Sequence, residues 1–125
     1  MRYLLDTNVF IWFAMDDKNI YPDHKNIIKS ADNEVFISIV SLWEIGIKHS
    51  LGKIDLKGTL PELFSAVEKD FQMRVLPIEQ EHVLKAVALP FHHRDPFDRL
   101  IYAQSLTENM TFLYTDKIFD QYQGA

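Results

Sequence analysis

Asp6, Glu44, Asp98 and Asp116 each stand at the end or the opening of an apolar run. The runs are Tyr3-Leu4-Leu5-Asp6-Thr7-Asn8, Ser41-Leu42-Trp43-Glu44-Ile45, Asp95-Pro96-Phe97-Asp98-Arg99 and Phe112-Leu113-Tyr114-Thr115-Asp116. A carboxylate beside hydrophobic chain is costly unless something neutralises it. One neutraliser serves all four acids if they converge, and a hard divalent cation with oxygen ligands suits that role. An all-oxygen pocket takes Mg²⁺ or Mn²⁺ in preference to zinc and leaves positions open for water and substrate. Such an ion polarises a phosphoryl oxygen and makes hydroxide available near neutral pH, and two ions stabilise both the attacking and the leaving oxygen. The chemistry expected of such a centre is phosphodiester hydrolysis.

Each acid also has a plainer reading. Asp6-Thr7-Asn8 is good turn chemistry. Glu44 can complete a capping box with Ser41. Asp116 can cap a last helix. Asp98 has no such alternative, because Pro96-Phe97-Asp98-Arg99 needs no acid at that position to form a helix. The plain readings require four separate explanations and a shared ion requires one.

The elements that must carry these residues follow from the pattern. Residues 2 to 5 read as a short buried strand ending at Asp6, with Thr7 or Asn8 capping a helix from Val9 to Met15 that is apolar nearly all round. Asp23 is expected to cap a helix ending near Ala31, and Glu34 to Ile39 to form a second strand. Ser41 is expected to open a helix that runs to about Ser50 and stops at Gly52. Further helices are predicted from Thr59 or Leu60 to about Phe71, from Glu79 to Ala88, from Pro96 to Thr107 and over residues 117 to 122. Further short strands are predicted at Arg74 to Pro77 and Thr111 to Tyr114, with a loop from Pro90 to Pro96. Short apolar strands alternating with helices argue for a parallel sheet with helices on both faces.

Ligands of open α/β sheets bind beyond the carboxyl ends of the strands, near a switch in strand order. Asp6 and Asp116 follow the first and fourth strands and project at that edge. Glu44 and Asp98 are expected in the first turns of their helices, where the N-terminal partial charge favours a carboxylate. Four acids can therefore meet at one rim.

The 125 residues have the size of one domain, and an apolar fraction of 47% supports a core. There is no cysteine, which excludes disulfides, thiolate zinc sites and a cysteine nucleophile. The N-terminus lacks the pattern of a secretory signal, and Asp16 and Asp17 end the apolar stretch Phe10 to Ala14 far short of a membrane span, so a cytoplasmic protein is expected. The formal charge of −5 opposes a polyanionic partner only in appearance, since four of the acids belong to the candidate site and the remainder is nearly neutral. Ser38 and Ser41 lack a nucleophile-elbow turn, and no glycine-rich phosphate loop occurs.

The stretches LLDTNVFIW, SIVSLWEIGIKHSLGKIDL, LPFHHRDPFDRLIYAQS and LYTDKIF, in this order along nearly the whole chain, resemble those of PIN-domain endoribonucleases, and within them the VapC-type toxins of bacterial and archaeal toxin–antitoxin pairs. The resemblance implies one PIN-like domain over residues 1–125: a three-layer α/β/α fold on a short, mainly parallel sheet of four to five strands. It implies a metal-dependent ribonuclease with Asp6, Glu44, Asp98 and Asp116 as its acidic site, Thr7 and Asn8 as the polar pair after the first acid, and Thr115 as the hydroxyl before the last. It also implies an RNA substrate, an antitoxin partner and a homodimer.

Around the acids, Asp95 precedes Pro96 and reads as a helix N-cap, and Arg99 either pairs with Asp95 or contacts a phosphate. Lys48 and Lys53 flank the Glu44 helix and either meet an RNA backbone or form a solvated face. Trp43 either stacks on a base or packs in a core or interface. His92 and His93 are read as loop residues or RNA contacts rather than ligands of one ion; His24, His49 and His82 are read as solvated or satisfied by packing. Trp12 and Phe13 can border a groove for an antitoxin helix. Two other functions fit an acidic pocket: a receiver-like phosphoacceptor, which calls for paired acids after the first strand and a late lysine, and a catalytically silent binding module.

Overall fold

The structure is a computed structural model, and it describes residues 1–90 and 95–123. His92 and His93 lie outside the described residues. Four strands, β1 (Arg2–Leu5), β2 (Glu34–Ser38), β3 (Arg74–Leu76) and β4 (Thr111–Leu113), form one parallel sheet in the order β3-β2-β1-β4. The chain steps outward from β1 to β3 and then returns to the other side of β1. The switch in strand order thus falls between β1 and β4, where Leu4 pairs with Phe112 and Leu5 with Leu113.

Alternation along the strands divides the interior into two cores. Tyr3, Leu5, Val35, Ile37 and Leu113 point to one face, where α1 (Thr7–Ala14), α2 (Pro22–Lys29), α3 (Ile39–Ser50) and α4 (Leu60–Lys69) bury Phe10, Ile28, Leu42, Ile45 and Val67 against them. Leu4, Phe36 and Phe112 point to the other, under α6 (Pro96–Thr107) and the C-terminal segment, a 3₁₀ turn Lys117–Phe119 followed by α7 (Asp120–Gln123). There Tyr102, Phe112, Phe119 and Tyr122 form an aromatic cluster, with ring centroids 4.9 Å apart between Tyr102 and Tyr122. α5 (Gln80–Ala88) packs on α6. The three layers are those expected. Among the described residues the sheet has four strands, and no helix is long and apolar enough to cross a membrane.

Helix starts differ from expectation in three places. α1 begins at Thr7 and is capped by Asp6, whose Oδ1 accepts the Val9 N–H at 2.7 Å, rather than by Thr7 or Asn8. α2 begins at Pro22 without a side-chain cap, since proline's fixed φ serves the first helical position; Asp23 lies inside the first turn. α3 begins at Ile39, with Ser38 capping Val40, so Ser41 lies inside the helix and Glu44 in its second turn. The other ends behave as the residues suggest. Thr59 and Glu62 form a reciprocal capping box on α4, and Asp95 caps α6 by accepting from Phe97 N–H at 2.9 Å. Gly52 follows α3 at φ 73°, a left-handed conformation that glycine adopts without strain. Gly46 lets α3 and α4 close up, because a Cβ there would lie 2.9 Å from Leu60 Cδ2.

Beneath α6 a buried polar chain ties three elements together. Ser38 donates to Gln104 Oε1, Gln104 Nε2 donates to the Pro77 carbonyl at 3.1 Å, and Gln104 lies against His82. His82 is fully buried: its Nδ1 accepts the Glu79 N–H at 3.0 Å, which places the ring proton on Nε2, 2.9 Å from Glu108.

Candidate functional site

Asp6 is the first residue beyond β1. Its N–H donates to the Leu113 carbonyl at 2.9 Å, which keeps it in register with β4. With Oδ1 engaged by Val9, Oδ2 accepts the Thr115 N–H at 3.1 Å. One carboxylate therefore closes the α1 N-terminus and ties β1 to the loop after β4, while 6% exposed.

Thr7, also buried, faces α3. Its Oγ1 lies 2.9 Å from Glu44 Oε1 and 2.9 Å from Ser41 Oγ. A hydroxyl has one proton and a carboxylate only accepts, so Thr7 donates to Glu44 and accepts from Ser41. Ser41 is thus used inside α3 rather than at its start. Glu44, 9% exposed, is held by this hydroxyl and by Lys48, whose Nζ lies 3.2 Å from Oε2 one helical turn further on. The expected stabilisation by the helix N-terminus does not reach Glu44, because that effect fades within the first turn.

Asp98 sits in the first turn of α6, half-buried, beside the capping residue Asp95. Asp116 is exposed and caps the 3₁₀ turn by accepting from Ile118 N–H at 3.0 Å, the plain role available to it. The loop bearing Thr115 and Asp116 is pinned on its far side, where the Tyr114 hydroxyl donates to Asp120, and by Phe119, which is buried in the aromatic cluster. That hydrogen bond is the main cause that pushes the Tyr114 phenol up to about 12.

The acids meet. A pocket of about 190 Å³ is lined by Asp6, Thr7, Asn8, Glu44, Lys48, Asp95, Asp98, Asp116 and Phe119. It opens at the carboxyl edge of the sheet, between β1 and β4, where the switch in strand order predicts a ligand site. Burial pushes the Asp6 carboxyl up to about 6; Val9 and Thr115 pull against it, and Asp116 and Glu44 push further. Burial, followed by the like charges of Asp95, Glu44, Asp6 and Asp116, pushes Asp98 up to about 7. The four acids repel one another within one partly desolvated space. Among the described residues, however, no three acidic or imidazole groups close tightly enough to hold an ion directly as they stand.

The remaining residues divide. Asn8 lines the pocket, whereas Thr115 contributes its backbone N–H. Arg99 is not part of the lining: its Nη2 donates to the Ala86 and Leu89 carbonyls at 3.0 and 3.1 Å and holds the C-terminal end of α5. Lys53 is exposed and away from the pocket. Trp43 is 56% exposed and crosses Phe97 edge to face at 4.9 Å, clipping α3 to α6 beside the acids rather than entering the core. Sequence reasoning missed Phe119 as a wall of the pocket and Ser41 as a support of Thr7. Ser41 precedes Glu44 by three residues, and that spacing already put them on one helical face.

A second cavity, of about 320 Å³, lies between α1 and α4 and is lined mainly by Phe10, Ile11, Ala14, Ile45, Leu63 and Phe71. It is larger than the acidic pocket, and Lys57, Thr59, Glu62 and Asp70 also line it.

Comparison with known proteins agrees with this architecture. The profile of the PIN domain family matches residues 3–125, and the chain belongs to that family. No curated protein matches it in sequence. Among solved structures it is similar to VapBC2 from Rickettsia felis bound to a DNA fragment from their promoter, at 18% identity and TM-score 0.71, covering 97% of this chain and 92% of the other. It is also similar to a toxin–antitoxin complex from Klebsiella pneumoniae, at 15% identity and TM-score 0.64, covering 92% and 87%. FitAcB from Neisseria gonorrhoeae matches at 18% identity and TM-score 0.64, covering 92% and 88%. At these identities the likeness is one of fold.

Proposed function

We propose that this chain is an endoribonuclease dependent on Mg²⁺ or Mn²⁺, and the toxin of a toxin–antitoxin pair. The observation that carries the reading is the single pocket that Asp6, Glu44, Asp98 and Asp116 share although they come from four separate segments. The donor set is all oxygen, and Asp6 and Asp98 are held as anions only at a cost, the condition that a hard dication relieves. In this reading those four acids hold the ion, after small side-chain adjustments that draw them inward. When bound, the ion supplies charge neutralisation and an acidified water for phosphodiester hydrolysis. The chain's own residues do the positioning. Val9 and Thr115 N–H groups fix Asp6, Thr7 orients Glu44 with Ser41 behind it, and Asp95 sets the start of the helix that presents Asp98.

Two further features support the partner. The similar structures named above include a toxin–antitoxin complex. The cleft between α1 and α4 combines apolar walls, Phe10, Ile11, Leu63 and Phe71 among them, with Lys57, Glu62 and Asp70, a mixed lining suited to an amphipathic segment of an antitoxin. The reading includes a homodimer, which the mass of the purified protein in solution tests. The receiver-like alternative loses its footing, because that architecture places β1 between β2 and β3, whereas here β1 lies between β2 and β4.

The decisive experiment is cleavage of single-stranded RNA by purified chain, freed of any partner, with Mg²⁺ or Mn²⁺ and with a chelator. Cleavage that needs the ion and disappears in a folded Asp98→Asn variant supports the proposal. RNA left intact by the folded, ion-supplied protein across varied single-stranded and loop substrates would overturn it.

A further inference from the structure

We propose that Lys48 is a tethered counter-cation of the acidic pocket: it competes with a divalent ion for Glu44 and, once displaced, offers its charge to the phosphate of the substrate. This inference rests on the reading that the pocket takes a divalent ion.

The two oxygens of Glu44 are divided between different partners. Oε1 takes the neutral hydroxyl of Thr7, and Oε2 takes the ammonium of Lys48 at 3.2 Å. Glu44 is buried, and Lys48 lines the same pocket as the four acids. Its side chain is nonetheless 40% exposed, so the stem runs from the acids towards solvent and the head group can move outward. Lysine suits this task. It is a compact charge on a flexible stem, without the fixed fork by which arginine locks a carboxylate. The lysine end of the pair is open to water, where the departing ammonium is rehydrated, so it yields to a dication. Even after it moves aside, the tether keeps a positive charge within a few ångströms of the ion, where the two repel. The arrangement lowers the affinity of the pocket for metal and leaves a cation at its mouth, where a phosphodiester must arrive.

Removing the charge should therefore tighten metal binding while weakening substrate binding, two effects of opposite sign. Titration of Mn²⁺ alone into the purified chain, followed calorimetrically at low salt, reads the first. Lys48→Gln is expected to bind Mn²⁺ about tenfold more tightly than the wild type. Lys48→Arg, which keeps the charge, should stay within about threefold, and Lys69→Gln, an exposed lysine on α4 away from the pocket, within about twofold. The advantage of Lys48→Gln should shrink as salt is raised. At saturating Mn²⁺, its KM for RNA should rise about fivefold while kcat changes less. If wild type and Lys48→Gln both bind Mn²⁺ equally well, or the variant binds more weakly, the tethered-cation role is overturned and the metal centre stands. If neither binds Mn²⁺, the metal reading itself fails, and this inference with it.

Discussion

The N–H of Thr115 donates to Asp6 Oδ2 at 3.1 Å, across 109 positions of sequence, while the other oxygen of the same carboxylate accepts from Val9. Asp6 is thus a structural brace as well as a pocket residue. An asparagine keeps one acceptor oxygen and turns a donor towards the other N–H, leaving a buried donor unmet. Asp6→Asn should lose its RNA cleavage, and the unmet donor costs about 1–3 kcal/mol of stability. Against this, the removal of a buried charge, on a carboxyl pushed up to about 6, works in the opposite direction. Chemical denaturation at pH 8 reads the balance; a midpoint that rises as far as that of Asp98→Asn would show that the brace carries no weight.

Asp98 separates chemistry from folding more cleanly. It is half-buried, and its charge is opposed by burial and by Asp95, Glu44, Asp6 and Asp116. Asp98→Asn removes that burden without changing shape. At pH 8 the metal-free variant should melt no lower than wild type, and by several degrees higher if the repulsion is fully relieved, while RNA cleavage falls at least a hundredfold. Thermal melting and a fluorogenic RNA assay on the same preparation check both halves.

The same groups set a pH dependence with a definite sign. Burial raises the Asp6 carboxyl to about 6 and the Asp98 carboxyl to about 7, from an ordinary value of 3.8. The folded state therefore holds these protons more tightly than the unfolded state. The stability they contribute is full below pH 3.8 and is lost as pH rises through about 6 to 7. Wild type without metal should gain melting temperature relative to Asp98→Asn as pH falls from 8 towards 5.5, and saturating Mn²⁺ should flatten the difference. A gap between the two proteins that stays constant over this range would contradict the assignment.

Thr7 tests positioning. Thr7→Val keeps the shape but removes the proton donated to Glu44 and the acceptor used by Ser41. Loss of a hydrogen bond that orients a metal-binding carboxylate costs about 10- to 100-fold in affinity or activity. Thr7→Ser should retain most of both. Mn²⁺ titration and cleavage rates, read side by side, distinguish this from a general loss of stability.

The buried polar chain makes a stability prediction away from the pocket. Gln104→Leu deprives the Ser38 O–H of its acceptor and the Pro77 carbonyl of the amide that donates to it. It should cost about 2–3 kcal/mol, seen as a lower urea midpoint with an unchanged slope.

Much of this architecture was legible from local pattern. The strands at Arg2–Leu5 and Glu34–Ser38 are short apolar runs, and Pro96 behind Asp95 marks a helix start without ambiguity. What misled was polarity with more than one use. The sequence offers Thr7 and Asn8 as caps of α1 beside a site-like Asp6, yet a single carboxylate can cap and face a pocket at once. Ser38 and Ser41 both look like caps; tertiary contact decides between them, since Thr7 takes Ser41 while Ser38 serves Val40 and Gln104. That Arg99 also reaches the Ala86 and Leu89 carbonyls was not legible, because they belong to a helix end that only the packed α5–α6 pair brings near. The placement of Asp6 and Asp116 after strands and of Asp98 at a helix start was legible, whereas Glu44 reaches the pocket from the second turn of α3, one turn later than its expected place. The spacing of the four acids within the pocket was not legible, because it depends on side-chain geometry that charge and solvent decide together.

The placement of β1 between β2 and β4 has a consequence for synthesis. β4, which flanks β1 on the open side, and the loop that supplies Thr115 and Asp116 leave the ribosome more than a hundred residues after Asp6. A nascent chain therefore cannot assemble the acidic pocket before both of these segments have been made.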